Sequence, residues 1–298
     1  MHIFVTGATG FIGQAVLREL IQAGHTVTGL ARSDDNVEKL KTLGAQAHRG
    51  TVEDLDALKS AAAASDGVIH LAFNHDFSDF AGSCAKDRAA IEAMGSALAG
   101  TNKPFIATSG TLGLHQSRLG DEDETFDVGN PLAALRGASE TSALSFAEMG
   151  VRASVIRLAP TNHGEGDHGF IPQLIKIARE KGKSAYIGEG SNVWPAVARL
   201  DTAKLFQLAI EKAAAGSRAH AVAEERITTK SIAEAIGKAV GVPAVSIKAE
   251  EAQDWFGFLG FALQLDNPCS SEKTRSRLGW EPTQRGLIGD IEGGIYTK

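Results

Sequence analysis

The hydrophobic and polar positions along the first half of the chain follow two alternating periods. Short apolar runs bounded by polar residues or glycine predict buried strands, and apolar residues three or four positions apart predict amphipathic helices. The apolar runs predict strands over residues 2–6, 26–30, 46–50, 67–73, 104–109, 152–159 and 219–223. The helical pattern covers residues 11–23, 37–45, 54–64, 80–98 and 135–149, with Asp54 as the N-cap of the third helix.

Strands that alternate with helices predict an α/β protein with a parallel sheet and right-handed crossovers. The expected fold class is a Rossmann doubly wound parallel sheet of about seven strands, formed by residues 1–163 and 191–223. Helices and loops dominate residues 164–190 and 224–298, which we expect to form a smaller, mainly helical C-terminal substrate domain. Such a domain would lie over the carboxyl ends of the strands, where open α/β sheets bind their ligands.

The composition narrows the class of protein. The chain has 298 residues, of which 43% are hydrophobic, so it can bury a large core. Its formal net charge of −6 argues against a non-specific grip on nucleic acid. Cys84 and Cys269 lack metal-ligand spacing and suit a reducing compartment. The N-terminus does not resemble a signal peptide, and the longest apolar run, residues 255–263, is too short to span a bilayer. We therefore expect a cytoplasmic protein with neither nucleic acid, membrane nor metal among its partners.

The segment "TGATGFIG", residues 6–13, has the glycine spacing of a dinucleotide-binding turn. Gly7 permits a tight turn after the first strand, Gly10 lets the backbone approach a pyrophosphate, and Gly13 lets the helix pack closely on the sheet. The N-terminus of that helix offers free N–H groups and the positive end of a dipole to the phosphates. The position between a strand and an amphipathic helix makes this motif a strong signal.

The end of the second predicted strand should meet the adenosine ribose. Arg32 and Ser33 follow that strand, and a planar, multi-donor guanidinium suits a 2′-phosphate. Asp34 and Asp35 are expected to begin the next helix. The sequence therefore predicts NADP as the cofactor, with NAD as the alternative.

At this point the chain resembles an extended short-chain dehydrogenase/reductase of the NAD-dependent epimerase/dehydratase superfamily, over nearly its whole length. The motifs that carry the resemblance are "FVTGATGFIG", "GVIHLAF", "PFIATSGT", "VIRLAPTNHG", "VWPAVARLDTAKLFQLAI" and "TRSRLGWEPT". Relatives often have histidine at the position of Ala198. The expected cofactor contacts are Gly7, Thr9, Gly10, Phe11, Ile12, Gly13, Arg32, Ser33, Leu71, Ala72, Phe73, Arg136, Pro160 and Asn162.

The sequence departs from the family at its YxxxK pair. Glu140 fits the glutamate that follows the family's lysine by four residues, so the pair falls on Leu132 and Arg136. The two tyrosines of the chain, Tyr186 and Tyr296, lie elsewhere. The chain therefore resembles the atypical branch of the superfamily, and the usual catalytic pair cannot be carried over.

The missing tyrosine changes the expected chemistry. Leucine cannot donate a proton, whereas Arg136 could stabilise a developing oxyanion or hold the nicotinamide ribose. Ser109 and Thr111, at the strand that carries the family's serine or threonine, could orient a carbonyl. A histidine could supply the proton, with His163 the first candidate, or water could. The other nearby polar candidates are His168, His75 and Asp76.

We therefore expect an NAD(P)-dependent oxidoreductase acting on a small carbonyl, enone or imine without the tyrosine route. An NmrA-like NADP-binding sensor and a nucleotide-sugar epimerase or dehydratase are the alternatives. The aromatic stretch of residues 254–265 could form an apolar lid over a small substrate, or equally the core of the second domain or a dimer contact. A small-molecule substrate is the expected partner, and a homodimer is a possible assembly.

Overall fold

A computed structural model describes residues 1–74, 79–114 and 118–297 of the chain. The strands are β1 (His2–Thr6), β2 (Thr26–Ala31), β3 (Gln46–Arg49), β4 (Gly67–His70), β5 (Pro104–Gly110), β6 (Arg152–Leu158), β7 (Thr161–His163), β8 (Ser184–Ile187), β9 (Val193–Ala198), β10 (Arg218–Ala221), β11 (Glu224–Thr228) and β12 (Ala244–Ile247).

The helices alternate with these strands through most of the chain. They are α1 (Phe11–Gln22), α2 (Asp34–Thr42), α3 (Leu55–Ala63), α4 (Phe80–Ala97), α5 (Pro131–Ser145), α6 (Phe170–Lys181), α7 (Arg199–Lys212), α8 (Thr229–Val240), α9 (Ala252–Phe256), α10 (Leu259–Ala262), α11 (Glu272–Leu278) and α12 (Leu287–Glu292), with short 3-10 turns at Thr111–Gly113 and Ala249–Glu251.

Within the described residues, seven strands form a central sheet in the order β3-β2-β1-β4-β5-β6-β10. Every neighbouring pair is parallel. This is the strand order of a Rossmann fold with one added strand, so the predicted fold class is confirmed. Because all strands run the same way, their carboxyl ends meet at one edge, and the motifs that follow them meet there too.

Both faces of the central sheet are covered, because successive residues of a strand point to opposite sides. Ile3 and Val5 of β1 pack into one core with α1 and α7, whereas Phe4 packs into another with α3, α4 and α5. Such strands read as continuous apolar runs, which explains why the pattern predicted them well.

Helix α5 begins four residues earlier than the apolar pattern predicts. Asn130 is its N-cap, since its side-chain oxygen accepts hydrogen bonds from Leu132 N at 3.0 Å and Ala133 N at 3.3 Å. Pro131 occupies the first turn, where a missing N–H costs nothing. The Asn-Pro dipeptide was the available signal for this start. Because the helix begins at Pro131, Leu132 and Arg136 lie in its first two turns.

The region predicted to contain helices and loops also contains short strands, which the sequence analysis missed. Strands β8 and β12 pair in parallel, and β11 joins β9 and β7 in a three-stranded sheet. These strands are short and partly exposed, and β11 carries three charged residues in five, so they show no clear period of two. A third apolar core lies among α6, α8, α12 and β9. The division of the chain into two domains stays a prediction.

Candidate functional site at the carboxyl edge of the sheet

The glycine-rich turn after β1 is shaped by close backbone packing. Gly7 has a φ of +66°, and a Cβ atom there would lie 2.7 Å from the backbone nitrogen of Ala72. A Cβ atom on Gly13 would overlap the carbonyl oxygen of Gly7. At Gly10, by contrast, an added Cβ would meet only that same oxygen, at 3.2 Å. Gly7 and Gly13 are therefore required by the fold itself, whereas Gly10 faces space that a ligand can use.

The N-terminus of α1 fits a phosphate. Gly10 is its N-cap, and no side chain caps the free N–H groups of the first turn. The carbonyl oxygen of Thr9 accepts hydrogen bonds from Lys39 Nζ at 3.1 Å and from Gln14 Nε2 at 3.2 Å, which hold the turn in place. Open N–H groups at a helix N-terminus bind anions through hydrogen bonds and the helix dipole.

The residues after β2 divide into a cap and an exposed cation. Helix α2 begins at Asp34 as expected, and Ser33 Oγ caps it by accepting from Asn36 N at 3.3 Å. The carboxylate of Asp34 pairs with Arg49. Arg32 is exposed, and no hydrogen bond to it is seen among the described residues. Its guanidinium therefore remains available at the position where a 2′-phosphate would be expected.

The end of β4 is bound to the end of β1 through buried polar groups. Thr6 Oγ1 accepts a hydrogen bond from Ala72 N at 3.2 Å and lies 2.6 Å from His70 Nδ1. Thr108 Oγ1 donates to the carbonyl oxygen of His70 at 2.7 Å. These bonds position the segment Leu71–Phe73 beside the glycine-rich turn, where the sequence analysis expected cofactor contacts.

Arg136 reaches from α5 to the end of β5. Its Nη1 donates to Asp87 Oδ2 on α4 at 2.8 Å, and its Nη2 donates to the carbonyl oxygen of Thr108 at 2.8 Å. The guanidinium carbon lies 4.3 Å from the centre of the Phe73 ring, in cation–π geometry. The Arg136 side chain is 17% exposed. The arginine is thus fixed on three sides at the carboxyl edge of the sheet.

Asp87 and His70 complete this arrangement and were not identified from the sequence. Asp87 is buried, and its Oδ1 lies 3.3 Å from His70 Nε2, a long contact. Burial raises the pKa of Asp87, but His70 and Arg136 outweigh burial and hold that pKa below its usual value. Asp87 lies in the middle of a helix with no motif around it, so no sequence signal marked it.

The two hydroxyls predicted on β5 and just after it differ in what they contact. Ser109 Oγ is buried and has no partner among the described residues. Ser109 follows Thr108, whose carbonyl oxygen accepts from Arg136 Nη2, and no hydrogen bond joins Ser109 to Arg136 in the described residues. Thr111 Oγ1 donates to Asn267 Oδ1 at 2.8 Å, and Asn267 Nδ2 donates back to the carbonyl oxygen of Thr111 at 3.0 Å. The Thr111 hydroxyl therefore holds the C-terminal region in place.

His163, the predicted proton donor, is the last residue of β7 and is 1% exposed. Its Nδ1 lies 2.7 Å from Asp290 Oδ2, and its Nε2 is buried with no partner in the described residues. In the part of the chain that the structure describes, no hydrogen bond connects His163 with Ser109 or Arg136. Asn162 of the same strand, an expected cofactor contact, accepts from Thr202 Oγ1 at 2.6 Å.

Pro160 lies in the bend between β6 and β7. The nearby His168 packs its ring edge-on against Phe11 of the glycine-rich turn, with centroids 5.9 Å apart. Arg199 covers the same Phe11 ring, 4.9 Å from its centre. These contacts bring the loop after β7 over the N-terminus of α1. His75 and Asp76 lie outside the described residues.

The two tyrosines lie away from Arg136. Tyr186 is in β8, where Lys230 Nζ lies 5.7 Å from its ring. Tyr296 folds back from the C-terminal end, donates its hydroxyl to Asp167 Oδ2 at 2.9 Å and accepts from Gly164 N at 3.4 Å. Burial raises the pKa of Tyr296, and the Asp167 carboxylate raises it further. This tyrosine is a poor acid that fastens the loop after β7.

Glu140, the residue that anchored the comparison with the YxxxK pattern, has a buried partner. It accepts two hydrogen bonds from Arg157, from Nε at 2.9 Å and from Nη2 at 2.6 Å. It also accepts from Arg218 Nε at 2.6 Å. Arg157 Nη1 lies 3.3 Å from His220 Nε2, while His220 Nδ1 donates to the carbonyl oxygen of Ser270. This network joins α5, β6 and β10.

The aromatic stretch near the C-terminal end is divided between two environments. Phe256, Leu259 and Leu263 are buried in the third core. Phe258 and Phe261 are about half exposed. The inward side of this stretch is therefore core, as one of the two interpretations expected. A lid formed by the outward side stays a prediction.

A seven-stranded Rossmann sheet whose first strand leads through a glycine-rich turn into a helix defines the dinucleotide-binding class of fold. Residues 3–223 match the model of the NAD dependent epimerase/dehydratase family, and the chain belongs to that family. The resemblance stated from the motifs is thereby confirmed. Within the described residues, no helix is both long and apolar enough to cross a membrane.

The chain is similar to uncharacterised proteins of two yeasts. It is 51% identical to one from Schizosaccharomyces pombe over 99% of this chain and 100% of that protein. It is 48% identical to one from Saccharomyces cerevisiae over 98% of each. It is also 28% identical to the 2-alkyl-3-oxoalkanoate reductase of Stenotrophomonas maltophilia, over 82% of this chain and 77% of that protein.

Among solved structures, the fold is similar to the NAD-bound dTDP-glucose 4,6-dehydratase of Streptomyces venezuelae. That comparison gives a TM-score of 0.79 and 18% identity, over 99% of this chain and 96% of the other. The NAD-bound UDP-glucose 4-epimerase of Thermus thermophilus gives a TM-score of 0.76 and 18% identity, over 99% and 98%. Likeness at this level of identity shows the shared fold.

Proposed function

We propose that the protein is an NAD(P)-dependent oxidoreductase that acts on a small carbonyl, enone or imine without a catalytic tyrosine. The observation that carries this proposal is the position of Arg136. Its guanidinium is fixed by Asp87 on α4 and by the carbonyl oxygen of Thr108 near the end of β5, and it lies on the helix where the family has its tyrosine and lysine. Fixed N–H donors at the point where negative charge develops are among the largest contributions to catalysis.

The cofactor site is expected at the carboxyl edge of the sheet. Open N–H groups of α1 and the free space at Gly10 would take the pyrophosphate. Arg32 would take a 2′-phosphate, which supports NADP over NAD. Thr9, Phe11, Ile12, the segment 71–73, Pro160 and Asn162 would line the remainder. When bound, the dinucleotide supplies or accepts the hydride.

The side chains of this protein would then act on the acceptor. Arg136 and Ser109 would hold and polarise the atom that gains negative charge. Leu132 offers no proton, and His163 is buried against Asp290, so we favour water as the proton source. A lost general acid costs about 10²–10⁴ in rate, which weakens catalysis without abolishing it. Enones and protonated imines need little acid help, so they should react faster than simple ketones.

One comparison supports a reductase. The Stenotrophomonas relative is named as a reductase of a 2-alkyl-3-oxoalkanoate, whose 3-oxo group is a carbonyl acceptor. Dehydratases and epimerases share the fold, which keeps that alternative open, but their usual chemistry relies on the tyrosine that this chain replaces by Leu132. A cofactor-binding sensor remains the alternative from another class.

A panel of carbonyls, enones and imines, tested with NADPH and NADH, examines the proposal directly. We expect oxidation of NADPH with at least one class of acceptor. Arg136→Ala should lower turnover by about 10²–10³ while NADPH affinity changes little. Arg88→Ala, which removes an exposed arginine from neighbouring helix α4, is the matched control and should leave both unchanged. If no acceptor consumes NADPH, or if Arg136→Ala turns over normally, the proposal is wrong and the sensor function takes precedence.

A further inference from the structure

Four side chains form a buried polar row behind the proposed site. It begins at Thr6 at the end of β1, continues through His70 at the end of β4 and Asp87 on α4, and ends at Arg136 on α5. Thr6, His70 and Asp87 are all buried, and Arg136 alone reaches the surface of the cleft. This polar row therefore links the nucleotide-binding turn with the candidate oxyanion donor.

The contacts along this polar row leave one carboxylate facing one guanidinium. Thr6 Oγ1 accepts from the backbone N–H of Ala72 and is hydrogen-bonded to His70 Nδ1 at 2.6 Å. His70 Nε2 lies 3.3 Å from Asp87 Oδ1 without forming a hydrogen bond to it. Asp87 Oδ2 accepts from Arg136 Nη1 at 2.8 Å, so the carboxylate cancels the charge of the guanidinium.

A neutralised arginine behaves differently from a free one. An unpaired guanidinium at the edge of a Rossmann cleft attracts carboxylates. A charge that is removed from water is costly unless it is paired, and a carboxylate supplies that pairing. Asp87 already supplies that partner. A guanidinium has five N–H groups, and the described hydrogen bonds from Nη1 and Nη2 use two of them. Arg136 can therefore still donate to an oxygen without demanding a negative charge.

We propose that Asp87 is a positioning and specificity-determining residue, which holds Arg136 in place and cancels its charge so that the site prefers uncharged acceptors to acceptors bearing a carboxylate. This inference rests on the proposed function, because it assigns Arg136 to the acceptor. It names the substrate class more closely: a carbonyl, enone or imine that bears no carboxylate.

The test removes the charge of Asp87 and keeps the shape of its side chain. Asp87→Asn leaves Arg136 with a net positive charge, and activity is compared for ethyl 3-oxobutanoate and 3-oxobutanoate, which differ by one carboxylate. We expect the ratio of kcat/KM for the acid to kcat/KM for the ester to rise at least tenfold in Asp87→Asn. Glu92→Gln removes an exposed carboxylate from the same helix and should leave the ratio unchanged. An unchanged ratio in Asp87→Asn overturns the inference.

A double variant separates charge from folding. Asp87→Asn combined with Arg136→Gln restores a neutral group, so the gained preference for the acid should disappear. Asp87→Glu keeps the charge and moves it, which should lower kcat and leave the ratio unchanged. If Asp87→Asn does not fold, Asp87→Glu alone decides, and a shifted ratio in that variant overturns the inference.

Binding without turnover distinguishes a failure of this inference from a failure of the proposed function. Acetate is titrated into each protein saturated with NADPH, and heat is measured. The wild type should bind acetate at least tenfold more weakly than Asp87→Asn, and the double variant should resemble the wild type. If neither form turns over any acceptor but this pattern holds, charge cancellation stands and the reductase proposal fails. Equal acetate affinities in the wild type and Asp87→Asn overturn the inference.

Discussion

A Cβ atom on Gly13 would overlap the carbonyl oxygen of Gly7, so the first helix can lie on the glycine-rich turn only because Gly13 has no side chain. A Cβ atom on Gly10 would contact only that oxygen, at 3.2 Å. Two glycines of one motif therefore serve different purposes: one permits the packing of the helix, and the other leaves room for a ligand.

This difference predicts opposite outcomes for two substitutions. Gly13→Ala should destabilise the fold by about 1–3 kcal/mol or more, because overpacking forces the backbone to move. Gly10→Val should leave the fold largely intact and abolish NADPH binding, because the side chain fills the approach of the pyrophosphate. Thermal melting measures the first effect and a fluorescence titration measures the second. Normal NADPH binding by Gly10→Val would show that the pyrophosphate lies elsewhere.

Arg32 should set the choice between the two dinucleotides. It is exposed after β2 with no hydrogen bond among the described residues, so a 2′-phosphate would meet a free guanidinium. Arg32→Ala should weaken NADPH binding about tenfold or more, from the loss of about 1.5–3 kcal/mol, and leave NADH binding unchanged. Arg49→Ala removes a nearby arginine that already pairs with Asp34 and serves as the control. Equal affinities of the wild type for NADPH and NADH would contradict the prediction.

The buried pair of Glu140 and Arg157 should be sensitive to the loss of one partner. Glu140→Gln leaves Arg157, which is fully buried, without its charge partner. Breaking a buried pair in this way costs about 3–5 kcal/mol, because the remaining charge stays desolvated. The free energy of unfolding in urea checks this value. Glu148→Gln, on the exposed surface near the end of α5, should change it by less than about 0.5 kcal/mol. If Glu140→Gln lowers the free energy of unfolding as little as Glu148→Gln does, Arg157 has found another partner.

His220 should make the stability of the fold depend on pH. Burial lowers the pKa of His220 to about 4, and Arg157 lowers it too. The unfolded chain, with a pKa near 6.5, therefore binds a proton that the folded chain excludes between these values. Stability should be full above pH 6.5 and fall as the pH drops toward 4, by about 3 kcal/mol at most from this group.

The measurement is the free energy of unfolding across pH 4 to 7 for the wild type and for His220→Asn. The substituted protein should be less stable throughout, but it should lack this part of the slope. Carboxylates also titrate at the acid end of the range, so the difference between the two curves is the relevant quantity. Parallel curves would show that His220 takes up its proton at the same pH in the folded and the unfolded protein.

Local residue patterns were enough to predict most of the central sheet and the glycine-rich turn after β1. Buried parallel strands are short apolar runs, and the glycine turn is formed by neighbours in the chain, so the relevant physics lies within a few residues. The start of α2 at Asp34 and the cap at Asp54 were predicted for the same reason. The sequence pattern did not predict the strands β8, β11 and β12, because partly exposed strands of four or five residues carry almost no periodic signal.

The partners of the polar side chains were decided by the tertiary structure alone. Arg136 finds Asp87 across 49 positions, His163 finds Asp290 across 127, and Tyr296 finds Asp167 across 129. Most buried polar groups are hydrogen-bonded, but the sequence does not say which of many distant groups the packing brings within 3 Å. The sequence by itself therefore determined the sheet, the turn and the loss of the tyrosine, and the packing of helices on that sheet determined which charge faces Arg136.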